Sequence, residues 1–313
     1  MKILVTGGAG FIGSHVVDAL LARGHEVHVL DDFSSGRSEN VPSGVPVHAF
    51  DVRSQEAARL LQEQRYEVMV HHAAQMDVRR SVADPRFDAD VNVSGFLNLM
   101  QAGVKSGLRR VVFASTGGAI YGEPDYVPQD EHHEARPLSP YGITKLTTEK
   151  YLFYYKIQYG ISYVALRYAN IYGPRQNPHG EAGVVAIFSQ RMLSGENPVI
   201  NGDGGQTRDY TFVGDVVRAN VAALTYDGSG TFNIGTGVET SVVELFRRIR
   251  ELSGSDAPET HVEAKPGEQR RSVLSSELAR KELGWAPEVD LQEGLRQTVA
   301  WFRERTLRAT AKS

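Results

Sequence analysis

The sequence predicts an α/β fold, in which a doubly wound parallel sheet carries helices on both faces and a smaller mixed α/β lobe lies beside it. Two observations support this prediction. Short β-branched runs alternate with apolar-periodic segments through the first half of the 313 residues, and such alternation is typical of βαβ units. A glycine-rich turn also separates the first predicted strand from the first predicted helix.

Seven short runs rich in β-branched residues are expected to be strands. In chain order they are Ile3–Val5, Glu26–Leu30, Val45–Phe50, Val68–His71, Val111–Ala114, Tyr163–Leu166 and Thr231–Ile234. Apolar periodicity predicts helices near 11–23, 54–64, 81–107, 141–160 and 184–195, and another that begins at Val213. The rest of 171–210 is rich in Gly, Pro and Asn, and 240–306 is expected to be mostly helical.

A dinucleotide site is indicated by the run Gly7-Gly-Ala-Gly10-Phe11-Ile12-Gly13, with the spacing G-x2-G-x2-G. Gly7 and Gly10 permit a tight turn and close approach of backbone N–H groups to a pyrophosphate, and Gly13 lets the helix pack on the strand. The N–H groups at the start of this helix, including those of Phe11 and Ile12, favour an anion. The first lobe is therefore predicted to be Rossmann-like.

A carboxylate at the end of the second strand extends this site. Asp31 lies 24 residues after Gly7 and can accept hydrogen bonds from both ribose hydroxyls. Because a carboxylate repels a 2′-phosphate, NAD is favoured over NADP. Further expected cofactor contacts lie in the loops after the second and third strands: Asp32, Phe33, Ser34, Asp51 and Val52. For Asp51, a helix-capping role would look the same.

Tyr141 and Lys145 are the strongest candidates for chemistry. Three residues separate them, so on a helix they share one face. A phenol has an ordinary pKa of about 10, and a neighbouring ammonium or a nicotinamidium ring favours the phenolate. Tyr141 can then exchange a proton with a sugar hydroxyl. The alternative interpretation is an ordinary amphipathic helix.

Composition limits the class of partner. Hydrophobic residues make up 41% and charged residues 23%, as in soluble globular proteins. The net charge of -4 gives no field for nucleic acid or an anionic membrane, and the absence of cysteine excludes disulfides and thiolate sites. No uncharged apolar run approaches the roughly 20 residues needed to span a bilayer, and no leader is evident. We expect a cytoplasmic protein.

The histidines do not predict a metal site. His71 and His72 are neighbours on a predicted strand, so their rings point to opposite faces and cannot chelate together. His132 and His133 stand in a polar loop flanked by prolines.

These residues resemble the extended short-chain dehydrogenases that modify nucleotide sugars, and within that family the UDP-glucose 4-epimerase group. The resemblance extends from Met1 to about Phe302. It rests on Gly7–Gly13, His71-His-Ala-Ala74, Asn92, the Tyr141/Lys145 pair, Arg167-Tyr-Ala-Asn-Ile-Tyr-Gly-Pro174, Thr207-Arg-Asp-Tyr210 and Leu283-Gly-Trp-Ala-Pro287.

The resemblance implies a mechanism. Tyr141 removes the proton of the sugar 4-hydroxyl while hydride leaves carbon 4 for tightly held NAD; the keto sugar turns, and returning hydride inverts the centre. Lys145 is implied to hold the nicotinamide ribose, and a homodimer is implied. The remaining implied cofactor contacts are Ala73, Ala74, Asn92 and Tyr168.

A third hydroxyl is implied in the loop after the fifth predicted strand. Counting back from Tyr121, the usual serine of the family falls on Gly117, so this chain departs from the pattern. Thr116 is expected to supply the hydroxyl, with Ser115 as the second choice. Related 4,6-dehydratases need an Asp-Glu pair in this loop, and Gly117-Gly118 offers no carboxylate, so dehydration is disfavoured.

Arginines are implied on the UDP diphosphate, since a guanidinium binds phosphate in a bidentate manner. Arg208 and Arg270 are the expected pair, although the choice between Arg270 and Arg271 is close. Asn170 is expected to contact a phosphate or sugar oxygen, and Val184 to line the substrate site.

Ser272 bears on substrate choice. It falls where a bulky residue limits some relatives to unsubstituted hexoses, so we expect space for UDP-N-acetylhexosamines as well as UDP-glucose. The expected division is a NAD-binding domain at 1–170 and 213–239 and a nucleotide-sugar lobe at 171–212 and 240–313. Alternatives are a UDP-glucuronate epimerase or decarboxylase, a reductase, or a non-catalytic NAD(P) sensor, against which the intact Tyr141/Lys145 pair argues.

Overall fold

The computed structural model describes residues 1–179, 183–264 and 269–310; Gly267 and Glu268 of the arginine segment lie outside it. The strands, in chain order, are β1 (Lys2–Thr6), β2 (Glu26–Leu30), β3 (Val47–His48), β4 (Val68–His71), β5 (Arg110–Thr116), β6 (Ser162–Tyr168), β7 (Asn170–Tyr172), β8 (Val199–Asn201), β9 (Thr207–Phe212), β10 (Gly230–Ile234), β11 (Glu239–Ser241), β12 (Thr260–Val262) and β13 (Arg271–Ser272). The α-helices are α1 (Phe11–Leu21), α2 (Gln55–Gln64), α3 (Val78–Ala83), α4 (Pro85–Ala89), α5 (Gly95–Ser106), α6 (Gly117–Ile120), α7 (Pro140–Tyr159), α8 (Val184–Leu193), α9 (Val213–Thr225), α10 (Val242–Ser253), α11 (Glu277–Leu283) and α12 (Leu291–Thr310).

The main sheet has seven strands in the order β10-β6-β5-β4-β1-β2-β3, and all its pairings are parallel. Helices cover both faces, so its central strands are buried on both sides and are nearly continuous apolar runs. The predicted Rossmann-like α/β fold is confirmed. From β1 the chain continues to β2 and β3 on one side of β1, whereas β4 lies on its other side. This reversal of the strand order leaves a crevice at the carboxyl ends of β1 and β4.

Strands from the second half of the chain form a second, mixed sheet of four strands. Strands β11, β9 and β13 lie side by side in that order, and β7 also pairs with β9. Strands β8 and β12 form a separate parallel pair. Helices α8, α10 and α12 pack on this part of the chain around a third apolar cluster. The lobe boundaries near 170, 213 and 239 stay a prediction.

Two predicted elements are shorter than expected. The strand expected at Val45–Phe50 is only Val47–His48, at the sheet edge. The helix expected over 81–107 is instead α3, α4, a π-helical turn at Asp90–Ser94, and α5. Pro85 lacks a backbone N–H and cannot continue α3, and the Asp84 side chain accepts a hydrogen bond from Phe87 N and begins a new helix.

The C-terminal part is mostly helical, as predicted, but it also contains short strands that were not predicted. Besides α10, α11 and α12 it contains β11, β12 and β13, and 171–210 contains β7, β8 and β9. These strands have two to six residues, too few for a period-two pattern to stand out. In the described ranges, none of the helices is both long and apolar enough to cross a membrane.

Candidate active site

The turn after β1 has the backbone geometry that the glycine spacing predicts. Gly7 has φ of 67° and its N–H donates to Leu30 O at 2.8 Å. A Cβ on Gly7 would lie 2.6 Å from Ala73 N, and one on Gly13 would collide with the Gly7 carbonyl oxygen. Only glycine fits either position, so the loops after β1 and β4 lie against each other at the crevice.

Helix α1 begins at this turn with its first donors uncapped. Gly10 is the N-cap, and no side chain in the described ranges accepts a hydrogen bond from the N–H groups of the first turn. These groups and the positive end of the helix dipole face the loop. A glycine-rich turn with uncapped amides fits a pyrophosphate.

Asp31 lies directly after β2 and is buried. Its Oδ2 accepts from Ala9 N and its Oδ1 from Phe33 N, each at 2.9 Å. Burial raises the pKa of Asp31, and the two backbone donors oppose that rise. Each carboxylate oxygen keeps a free lone pair, so Asp31 is able to accept from ribose hydroxyls as well.

The other loop residues expected at the cofactor have local partners. Asp32 accepts from Ser34 N and Oγ, and Phe33 has φ of 58°. Asp51 binds the Arg53 guanidinium, which lowers the pKa of that carboxyl. Val52 is buried. Together with the glycine turn and Asp31, the chain offers residues that fit a dinucleotide; the individual contacts stay predictions.

Tyr141 and Lys145 lie on the first turns of α7, which Ser139 caps by accepting from Gly142 N. Lys145 is buried, and its Nζ donates to Ala114 O at 2.8 Å. Nζ is 5.8 Å from the centre of the Tyr141 ring. The two side chains therefore share one helix face beside the end of β5, as the spacing predicts.

The pKa shifts differ from expectation in one respect. Burial, with Asp88 as the second cause, raises the pKa of Tyr141, whereas the ammonium was expected to lower it. Burial also lowers the pKa of Lys145 to about 8, against the opposing effect of Asp88 and Glu149. For Lys145 desolvation outweighs the neighbouring carboxylates, and for Tyr141 desolvation and Asp88 act in the same direction, so Tyr141 remains a phenol until a further cation approaches.

The two candidate hydroxyls differ in orientation. Ser115 is buried and its Oγ donates to Glu149 Oε1 at 2.6 Å. Thr116 is the last residue of β5 and the N-cap residue of α6, but its side chain makes no capping hydrogen bond; its hydroxyl has no partner among the described residues. A Cβ on Gly117 would collide with the buried Leu274 side chain, so position 117 faces the core. The missing serine thus has a steric explanation, and Thr116 is favoured over Ser115.

Tyr168 and Asn170 border the same crevice. Tyr168 accepts from Asn220 Nδ2 at 2.7 Å, its ring stacks on His72, and burial raises its pKa. His71 instead pairs with Thr6, so the two histidine rings have different partners. A Cβ on Gly118 would lie 3.7 Å from Asn170 Oδ1, which places Asn170 beside the Thr116 loop. Val184 is the first residue of α8.

Asn92 lies in the π-helical turn, and its side chain is used internally. Its Oδ1 accepts from Gln75 N, and its Nδ2 donates to Gln75 O, Asp88 Oδ1 and Thr144 Oγ1. The amide thus connects this turn to α7, and the expected cofactor contact of Asn92 stays a prediction. The sequence reasoning missed Asp88, whose burial no local pattern indicates.

The expected diphosphate arginines lie on and beside the second sheet. The register pairs Ser272 with Arg208 and Arg271 with Thr207, so Arg271 points to the face opposite Arg208 and Ser272. Arg271 is bound to Glu239 in a bidentate manner. Arg270 pairs with Asp203, and both side chains are mostly exposed. This arrangement favours Arg270 over Arg271, and both contacts stay predictions.

Comparison with known proteins gives concordant results. The model of the NAD dependent epimerase/dehydratase family matches residues 3–235. The UDP-glucose 4-epimerase of Mycolicibacterium smegmatis is 49% identical over 313 residues, covering 98% of this chain and 100% of that protein. The crystal structure of the Thermotoga maritima UDP-glucose 4-epimerase with UDP-glucose superposes with a TM-score of 0.96 at 47% identity, covering 98% of this chain and 100% of that one.

A third relative carries a cofactor. The Thermus thermophilus UDP-glucose 4-epimerase, solved in complex with NAD, has a TM-score of 0.91 and 48% identity, and the match covers 97% of this chain and 99% of that one. The glycine turn, Asp31 and the Tyr141/Lys145 pair agree with these likenesses. The chain belongs to the NAD-dependent epimerase/dehydratase family.

Proposed function

We propose that this protein is a UDP-glucose 4-epimerase that keeps NAD bound throughout its cycle. The observation that carries the proposal is the placement of Tyr141 and Lys145 on one face of α7, beside the crevice that the glycine turn borders. Relatives at 47–49% identity bear the same activity in their names. Gly117-Gly118 offers no carboxylate for dehydration.

The residues of the chain divide the work as follows. Tyr141 exchanges a proton between its Oη and the sugar 4-oxygen, and its raised pKa suits the step in which it returns the proton. Lys145 has one N–H on Ala114 O, which leaves two donors for a ribose. Thr116 offers a free hydroxyl to the sugar oxygen. Bound NAD⁺ accepts the hydride that leaves carbon 4 of the sugar.

The substrate is proposed to lie across the second sheet. Arg208 and Arg270 supply positive charge for the diphosphate, and Asn170 and Val184 border the sugar end. Ser272 is small and buried beside Arg208. It supports acceptance of UDP-N-acetylglucosamine as a second substrate.

A homodimer through α7 is part of the proposal. Large apolar side chains on this helix are between 42% and 68% exposed: Ile143, Phe153, Tyr154, Ile157 and Tyr159. Such a patch on one helix is typical of a protein interface, and it supports pairing with a second copy. We further propose that the protein acts in the cytoplasm.

The proposal is tested by incubating the purified protein with UDP-glucose and no added cofactor. We expect UDP-galactose to form, with NAD released from the protein on denaturation. Consumption of added NADH without UDP-galactose would instead indicate a reductase. No turnover by protein that contains stoichiometric NAD would contradict the proposal.

A further inference from the structure

Asp88 is a buried carboxylate that the proposed mechanism does not use. Its side chain on α4 is completely inaccessible. Oδ1 accepts from Gln75 Nε2 at 2.9 Å and Asn92 Nδ2 at 3.2 Å, and Oδ2 accepts from Thr144 Oγ1 at 2.8 Å. All three donors are neutral, and the described part of the chain places no cation within ion-pair distance. An unpaired buried charge is costly, so a cation near Asp88 would stabilise its ionised form.

Glu149 provides a contrast on the other side of the same lysine. It lies one turn after Lys145 on α7 and is also buried. Arg167 binds it through Nε at 3.0 Å and Nη2 at 2.7 Å, and Ser115 donates to it. The charge of Glu149 is therefore balanced by a guanidinium in direct contact.

Lys145 has the complementary deficit. Its ammonium is buried and contacts a neutral carbonyl oxygen, that of Ala114, and the face of the Phe113 ring at 4.8 Å. The adjacent residue, Thr144, donates to Asp88. With Glu149 paired to its arginine, Asp88 and Lys145 are a buried carboxylate and a buried ammonium for which the described residues provide no partner of opposite charge in direct contact.

The other titratable groups around Lys145 are neutral. On β4, burial lowers the pKa of His71 to about 3 and that of His72 to about 4. On α7 and β6, burial raises the pKa of Tyr141 and of Tyr168. None of these groups carries a charge near pH 7 that could balance either Asp88 or Lys145.

We propose that Asp88 is the counter-charge of Lys145, a positioning residue that keeps the buried ammonium protonated and beside Tyr141. The pairing acts through space and through the Thr144 hydroxyl, without a direct contact. Its role in catalysis rests on the proposed function, whereas the charge pairing itself does not.

The sign of the effect follows from the charges. Asp88 raises the pKa of Lys145 and of Tyr141, so Asp88→Asn should lower both. Turnover needs the ammonium of Lys145, so in Asp88→Asn the loss of turnover on the alkaline side should begin at lower pH than in the unchanged protein. We expect this loss to begin about one pH unit lower.

The experiment is a titration of lysine side chains by ¹³Cε NMR in the purified protein, with Lys145 assigned by its absence in Lys145→Met. In Asp88→Asn we expect the Lys145 midpoint to fall by about one pH unit. Asp90→Asn is the matched control, since Asp90 is two residues away, exposed and paired with Arg53; its midpoint should equal that of the unchanged protein. Equal midpoints in Asp88→Asn and Asp90→Asn would overturn the proposal.

Two further readouts separate charge from structure. In Asp88→Asn, the alkaline limb of the pH–rate profile for UDP-glucose should move to lower pH together with the NMR midpoint of Lys145. In Asp88→Glu, which restores the carboxylate, the limb should return to its position in the unchanged protein. If the wild-type protein forms no UDP-galactose, the proposed function fails while the titration still decides the pairing.

A double-mutant cycle covers the case in which Asp88→Asn alone folds poorly. Removing the ammonium in Lys145→Met leaves Asp88 unbalanced, so adding Asp88→Asn to that variant should raise its thermal midpoint. If Asp88→Asn lowers the midpoint equally in both backgrounds, the carboxylate has only a hydrogen-bonding role and the proposal is wrong.

Discussion

The two sides of the crevice are built differently. On the cofactor side, the turn after β1 is shaped by backbone atoms: Gly7 N–H is bound to Leu30 O, and the space around Gly13 excludes any side chain. On the side proposed for the substrate, Arg270 lies just before β13 and pairs with Asp203, with side chains 60% and 65% exposed.

This difference shows how each ligand is expected to be held. A backbone cradle keeps its shape without a ligand and loses little conformational entropy on binding, which suits a cofactor retained through many cycles. An exposed arginine has to leave its surface carboxylate and become ordered when substrate binds. That exchange is nearly balanced, because exposed ion pairs contribute only about 0–1 kcal/mol, and it suits a substrate that must also leave.

The largest effect is expected from a methyl group in the cradle. In Gly13→Ala the new Cβ meets the Gly7 carbonyl, and because both atoms are held by backbone the turn has to open. We expect loss of bound NAD and with it all turnover, measured as cofactor released per chain. Circular dichroism serves as the folding control. A folded variant with full NAD content would show that the cradle is not rigid.

Tyr141→Phe tests the point where the two sides meet. We expect turnover to fall roughly a hundredfold or more through loss of a positioned acid–base group, while NAD content stays near that of the unchanged protein. The measurement is UDP-galactose formed per mole of NAD-loaded chain. Retention of most of the rate would remove Tyr141 from its proposed role.

The neighbouring hydroxyls Thr116 and Ser115 should separate catalysis from stability. Thr116→Ala should lower turnover on the order of tenfold, the value of one hydrogen bond to a developing charge. Ser115→Ala should lower turnover less and reduce the free energy of unfolding by about 1–2 kcal/mol, because buried Glu149 loses a donor. Urea unfolding and initial rates measure both. The reverse order would assign the catalytic hydroxyl to Ser115.

The smallest effect is expected at the exposed arginines. Arg270→Ala should raise KM for UDP-glucose roughly fivefold to tenfold with kcat little changed, since the charge-assisted bonds it makes to phosphate are partly offset by those it gives up. Arg271→Ala is the matched control, because Arg271 is bound to Glu239 on the opposite sheet face. Equal rises in KM for Arg270→Ala and Arg271→Ala would show that Arg270 has no greater role in substrate binding than Arg271.

Much of the first lobe could be predicted because its signals are local. Strands β1, β2, β4, β5 and β6 are buried apolar runs, and the glycine spacing and the interval between Tyr141 and Lys145 encode backbone geometry within one turn of chain. The short strands of the second sheet could not be predicted from local sequence. For example, β13 is two residues long and exists because β9 lies beside it. The break between α3 and α4 has a local signal in Asp84-Pro85, but the apolar periodicity on both sides favoured one continuous helix.

The sequence by itself determined the α/β class, the dinucleotide turn and the pair of residues proposed for proton transfer, because each depends on contacts between residues close in the chain. Tertiary structure decided which groups carry charge and where they point. Leu274 fills the space that a side chain at 117 would need, Glu149 binds Ser115 and Arg167, and Asp88 is enclosed beside α7. Burial and long-range packing set these properties, and both require distant segments to come together.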